Sequence, residues 1–199
     1  MSAPEKYVLL PLPEAEVYYW PGFLAPAEGE KICAALIQSV VWRQDRVKMF
    51  GKEIPLPRLT AWYGNAGKTY AYSGIQMEPL PWLPLLQTLK KTVEATTNHH
   101  FNSVLLNYYR HGQDSMGWHS DNEPELGPNP VIASVSLGQS RRFDFRHKHN
   151  RTIPKQSVWL NQGSLLLMQG LTQHFWQHQV PKASKLNQLR LNLTFRLIK

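Results

Sequence analysis

His119-Ser120-Asp121 sets an imidazole and a carboxylate two residues apart. On an extended backbone, residues i and i+2 project from the same face, so one strand end can offer both groups to a single metal ion. A third ligand must come from elsewhere, and Q-H-F-W-Q-H downstream supplies two candidates, His174 and His178. Two histidines and one carboxylate on one face of Fe(II) leave the opposite face open for substrate and oxygen. The same donors also suit zinc, as in a hydrolase. H-x-D alone is a common coincidence, so the rest of the constellation decides its weight.

The stretch Arg190-Leu-Asn192-Leu-Thr194-Phe-Arg196 alternates polar and apolar residues. A strand there carries Arg190, Asn192, Thr194 and Arg196 on one face and Leu191, Leu193 and Phe195 on the other. The polar row has two readings. It is a solvated face, or it is buried around a small dianion, because arginine meets a carboxylate through two parallel hydrogen bonds.

The elements that must position these groups divide the chain in two. Residues 1–16 are proline-rich and read as an irregular arm. Apolar residues at helical spacing predict helices over 26–41 and 79–97, the second started by Pro79 and Pro81. Between them, residues 42–76 read as hairpins, one with Met49 and Phe50 at its tip. From residue 101 onward, short strands are expected at 103–109, 131–137, 141–146, 158–160, 164–168, 175–180 and 190–197. This is an α+β pattern, a β-sandwich or jelly roll with helices packed outside. His174 and His178 would then share a strand face, with His174 in a packing or supporting role. His99, His100, His111, His147 and His149 read as surface or loop residues.

The chain has 199 residues, 42% of them hydrophobic, and a formal net charge of +8. That length suits a single domain, and the charge suits a polyanionic partner. Cys33 is the sole cysteine, so an internal disulfide framework is excluded and an intracellular compartment is expected: cytoplasm, nucleoid or nucleus. No run approaches the roughly 20 apolar residues of a membrane span, so no membrane partner is expected.

H-S-D, the distal His178, R-L-N-L-T-F-R, the leading L-N-Y-Y and the central A-S-V-S-L-G together resemble the AlkB family of Fe(II)- and 2-oxoglutarate-dependent dioxygenases. The resemblance runs from about residue 102 to 199 and more weakly back to 19. F-G-K, T-Y-x-Y-S-G and F-R-H-K resemble the paralogues that repair duplex DNA. The resemblance implies a double-stranded β-helix (jelly roll) core over 101–199, with helices outside and an N-terminal nucleotide-recognition lid over 42–76. It implies that His119, Asp121 and His178 ligate Fe(II). Arg190, helped by Tyr109, would hold the distal carboxylate of 2-oxoglutarate. Arg196 and Asn107 would hold the carboxylate near the metal, with Asn192 and Thr194 in the same pocket. With O2 as the second co-substrate, bases such as N1-methyladenine and N3-methylcytosine would be demethylated, releasing formaldehyde, succinate and CO2.

A base inside a duplex must leave the stack to react. Phe50 is then the wedge, Tyr70, Tyr72 and Ser73 adjoin the flipped base, and Asn122 and Glu123 meet its exocyclic amine. Asn122 departs from the acidic residue of the duplex-repair branch. Phosphate contacts are expected from Lys48, Lys52, Arg58, Arg141, Arg142, Lys148, Arg151, Lys182 and Lys185, and His147 is placed to join them. The expected partner is alkylated DNA, duplex or single-stranded, met by a monomer. The alternatives are a dioxygenase acting on RNA or protein, and a non-catalytic metal-bearing domain that binds damaged DNA.

Overall fold

In the computed structural model, all seven residues from Arg190 to Arg196 are buried, so the polar row does not face water. The structure describes residues 7–49, 51–67, 70–72 and 75–199, with backbone only at 48, 49, 70–72 and 75–77. Phe50 and Ser73 lie outside the described residues.

The first half contains β1 (Val8–Leu9), β2 (Glu16–Trp20), α1 (Pro26–Ser39), β3 (Arg46–Met49), β4 (Lys52–Pro55), β5 (Leu59–Gly64), β6 (Tyr70–Tyr72), β7 (Ile75–Met77) and α2 (Pro84–Thr97). The second half contains β8 (Ser103–Tyr109), β9 (Met116–His119), β10 (Ile132–Gly138), β11 (Arg141–His147), β12 (Gln156–Leu160), β13 (Ser164–Gln169), the one-turn α3 (Thr172–Phe175), β14 (Trp176–Val180) and β15 (Arg190–Arg196). Among the described residues, one antiparallel sheet has the order β1-β2-β13-β10-β15-β8-β5 and a second has β12-β11-β14-β9. β3-β4 and β6-β7 are separate hairpins. The architecture is the jelly-roll core with external helices.

Two apolar layers explain the double burial of β15. Leu191, Leu193 and Phe195 join Val104 and Leu106 of β8 against Leu36 of α1 and Leu86, Leu89 and Val93 of α2. The opposite faces look into the space between the sheets, where Leu105, Phe143, Phe145, Leu166 and Trp176 form the second layer. Alternation on β8 and β15 thus serves two apolar interiors, and the polar row of β15 faces the second one.

α2 begins at Pro84, five residues later than the sequence pattern suggests. Leu83 precedes a proline and is extended (ψ 144°), as the proline ring demands of its neighbour, so the helix starts only at Pro84, the last of the three prolines. Asn98, in the left-handed region at φ 56°, ends it. α1 stops at Ser39, because Val40 is already extended. No helix among the described residues is long and apolar enough to cross a membrane.

Candidate metal and co-substrate site

β9 and β14 pair directly at His119 and His178. From there the ladder advances two residues on β14, to Val180, but three on β9, to Met116. This bulge resets the alternation of β9, so that Met116 and His119 both reach the inter-sheet cavity. Asp121 follows two residues after the strand. Its N–H donates to Gln173 Oε1 at 3.0 Å, and Ser120 Oγ donates to the Trp176 carbonyl at 2.8 Å. These two bonds turn the chain back over β14 and bring the carboxylate to the histidines.

The ligand atoms of His119, Asp121 and His178 lie within 4.8 Å of one another. His119 Nδ1 sits 2.8 Å from the Gly117 carbonyl, which can only accept, so Nδ1 carries the proton and Nε2 keeps its lone pair. His178 Nε2 points at Asp121 Oδ2, 3.6 Å away. Phe143 stacks on the His178 ring at 5.1 Å and 22°, which fixes its plane. Burial pushes the His178 imidazolium down to about 3, helped by His119 and opposed by Asp121. Burial also lowers His119. At Asp121 burial alone would raise the carboxyl, but Arg196, His178 and His119 outweigh it and hold it at about 2. Two neutral imidazoles and one ionised carboxylate fit a divalent metal.

Those shifts carry a pH expectation. The unfolded chain protonates histidine near pH 6.5, whereas folded His178 resists until about 3. The metal-free protein should therefore lose stability as pH falls through this window, by up to about 1.4 kcal/mol per unit for such a group, with no change from this source above pH 7. Metal affinity should stay nearly flat from pH 8 to 7, since no imidazole proton is displaced. Chemical denaturation and Co(II) titration across pH check both, and a steep rise in affinity over that interval would contradict the protonation states.

A cavity opens beside these groups. Asn107, Tyr109, Asn192, Thr194 and Arg196 line it together with the three ligands. Strand register explains the grouping: Asn192 is paired with Asn107, Arg190 with Tyr109, and Thr194 with Ser134. Arg196 Nη2 donates to Asp121 Oδ1 at 2.5 Å. Asn192 donates to Ser134 Oγ at 2.7 Å and accepts from Thr194 at 3.1 Å, so these two build the wall. Arg190 lies behind Tyr109, its guanidinium 5.1 Å from the ring centre. It is 1% exposed, donates to Ser136 Oγ at 3.0 Å, and has no partner for Nε or Nη1 among the described residues. Burial pushes it down to about 10, so it remains a cation at neutral pH. Two buried, unanswered N–H donors on a cation fit the outer carboxylate of a dicarboxylic acid.

Several residues sit differently from their sequence reading. Arg58 and Arg141 are buried and cannot be surface phosphate contacts. Arg58 Nε donates to Asn107 Oδ1 at 2.8 Å and orients that amide. Lys148 donates to the Gln173 carbonyl at 2.6 Å. His147 is buried rather than on the surface: its Nδ1 accepts from the N–H groups of His149 and Asn150, and its Nε2 meets Glu14 at 3.0 Å. His174 lies on α3, hydrogen-bonded to Asn129 and away from the metal-ligand cluster. Glu123 has a buried Oε2 with no partner among the described residues, while Asn122 is exposed. The Tyr70 and Tyr72 backbones form β6, paired with β7.

Gln173 had no sequence signal beyond lying beside His174. Gln173→Leu removes the acceptor that holds the Asp121 backbone. Metal affinity should fall roughly 10- to 100-fold, the usual effect of losing support behind a ligand. Calorimetric titration with Co(II) measures it, and an unchanged constant would remove Gln173 from the site.

A profile of the 2OG-Fe(II) oxygenase superfamily matches residues 16–196. Alpha-ketoglutarate-dependent dioxygenase alkB homolog 3 of Mus musculus is 44% identical over 198 residues, spanning 96% of this chain and 68% of that protein. DNA oxidative demethylase ALKBH2 of Homo sapiens is 45% identical over 159 residues, spanning 77% of this chain and 61% of that protein. The solved structure of OsALKBH1 superposes with a TM-score of 0.66 at 18% identity, over 96% of this chain and 100% of that one, a likeness of fold.

Proposed function

Because this chain belongs to the 2OG-Fe(II) oxygenase superfamily, we propose that it repairs alkylated DNA by oxidative demethylation. The observation that carries this is the convergence of His119, Asp121 and His178 at a cavity backed by Arg190, whose Nε and Nη1 have no partner among the described residues. Its relatives include a protein named a DNA oxidative demethylase. When bound, Fe(II) with 2-oxoglutarate and O2 supplies the oxidising power that hydroxylates an N-methyl carbon. The co-substrate would be consumed as succinate and CO2, and the resulting hemiaminal would lose formaldehyde, leaving the repaired base.

The chain's own residues place the partners. His119, Asp121 and His178 hold the metal, Arg196 keeps Asp121 ionised, and Arg58 orients Asn107 toward the co-substrate. Arg190 and Tyr109 receive the distal carboxylate, which keeps that end of 2-oxoglutarate out of water. Glu123 offers its unpartnered Oε2 to the exocyclic amine of the methylated base. That contact selects the cationic lesions N1-methyladenine and N3-methylcytosine over neutral bases.

Residues 42–76 act as the nucleotide-recognition lid of the catalytic domain. Tyr70, Tyr72 and Ser73 adjoin the flipped base, and Phe50 fills the gap in a duplex. The protein works as an intracellular monomer, in keeping with a single buried Cys33. The test is demethylation of N1-methyladenine in single-stranded DNA, duplex DNA and RNA, side by side. Wild-type protein should repair both DNA forms, and Phe50→Ala should lose duplex repair while keeping most single-strand repair. Equal losses would dismiss the wedge, and turnover of RNA alone would dismiss DNA as substrate.

A further inference from the structure

Arg141, at the start of β11, is 1% exposed. Its guanidinium carbon lies 5.8 Å from the centre of the Tyr109 ring, whose other neighbour is Arg190 at 5.1 Å. Two buried cations therefore flank one tyrosine. Arg141 Nη2 donates to the carbonyls of Asp114 at 2.9 Å and Pro181 at 2.7 Å. Its Nε is buried with no partner among the described residues. The nearby Asp114 carboxylate is already gripped by Arg110, through Nε at 2.8 Å and Nη2 at 2.9 Å. The pair Arg141 and Arg190 thus lacks a carboxylate of its own among the described residues.

The carbonyls that Arg141 holds belong to two loops, the one between β8 and β9 and the one between β14 and β15. These loops also bond to each other, Gly112 N to Leu186 O at 2.8 Å and Ala183 N to Gly112 O at 2.7 Å. A side chain on Gly112 would strike the Ala183 carbonyl, so the contact is as close as backbone allows. The loops close over the Tyr109 end of the site. A staple between carbonyls needs donors but does not need a second full charge buried beside Arg190. Buried charges are paired, and a carboxylate at the Tyr109 end of the cavity would lie in the field of both guanidinium groups.

We propose that Arg141 is a positioning residue for the co-substrate: a second cation that, across Tyr109 and beside Arg190, makes the site selective for 2-oxo acids with a negatively charged far end. The inference rests on the 2-oxoglutarate reading of the cavity. It differs from a purely structural role in one respect. A loop staple stabilises every 2-oxo acid alike, whereas a cation at the far end discriminates by charge.

The test compares 2-oxoglutarate with 2-oxopentanoate, which has the same carbon chain without the distal carboxylate, by calorimetric titration of the Mn(II)-loaded protein. For Arg141→Met, 2-oxoglutarate should bind roughly 10-fold more weakly, the scale for removing one cation from near a partly screened carboxylate, while 2-oxopentanoate changes by less than about threefold. Arg141→Lys, which keeps the charge, should restore most of the discrimination. Equal weakening of both acids, or an unchanged 2-oxoglutarate constant, would overturn the role. Arg190→Met serves as the control. If it too leaves 2-oxoglutarate binding unchanged, the dicarboxylate reading of the cavity fails and Arg141 falls with it. Selective loss in Arg190→Met without selective loss in Arg141→Met overturns the Arg141 inference alone.

Discussion

Asp121→Ala should abolish demethylation and lower metal affinity by more than about 100-fold while leaving the secondary structure unchanged. The carboxylate is the sole anionic ligand of the cluster, and it is also the counter-charge of Arg196, both groups being almost fully buried. Its removal deletes a ligand and takes a buried carboxylate away from Arg196. Breaking a buried pair in this way costs about 3–5 kcal/mol, so the variant should melt earlier even without metal. Asp121→Asn separates the two effects. It keeps a hydrogen-bond acceptor for Arg196 and should recover part of the stability, but a neutral amide is a poor partner for Fe(II), so activity stays lost. Circular dichroism, Co(II) titration and formaldehyde release read the three quantities. Turnover near the wild-type level in either variant would defeat the metal assignment.

Arg190→Met moves stability and function in opposite directions. The side chain is fully buried and its Nε and Nη1 lack partners among the described residues. Each buried donor left unmade costs about 1–3 kcal/mol. Replacing the guanidinium with an apolar chain should therefore leave the ligand-free protein as stable as the wild type or more so. The lost bond to Ser136 offsets part of the gain. Affinity for 2-oxoglutarate should fall by about 100-fold, as expected when one half of a buried charge pair is removed. Thermal melts with and without 2-oxoglutarate show both effects together: a large upward shift for wild type, and none for the variant from an equal or higher starting point. A destabilised variant that still responds to 2-oxoglutarate would place the carboxylate elsewhere.

Much of this site can be read in the sequence, because its parts follow from strand periodicity. His119 and Asp121 are close in the chain, and the alternation from 190 to 196 puts four polar groups in one row. Sequence leaves open whether that row faces water. The answer depends on the facing sheet, whose Phe143, Phe145 and Trp176 close the space. Arg58 and Arg141 were misread for the same reason: charge identifies a cation but not its burial, and neighbours far along the chain bury both. The bulge that lets Met116 and His119 share a face breaks the period-two rule and leaves no residue signature. Gln173 supports Asp121 from a one-turn helix too short for any periodic pattern, between two expected strands and beside a distracting His174. The family resemblance correctly anticipated the jelly roll and the superfamily, and relatives named alkB homolog 3 and ALKBH2 both match at 44–45% identity.

Formaldehyde and succinate released from an oligonucleotide carrying one N1-methyladenine test the central claim most directly. The two products should appear in equal amounts, only when Fe(II), 2-oxoglutarate and O2 are all supplied, and the methylated base should revert to adenine. If metal-loaded, folded protein released neither product from single-stranded or duplex DNA, the cavity at His119, Asp121 and His178 would not be the centre of a DNA demethylase.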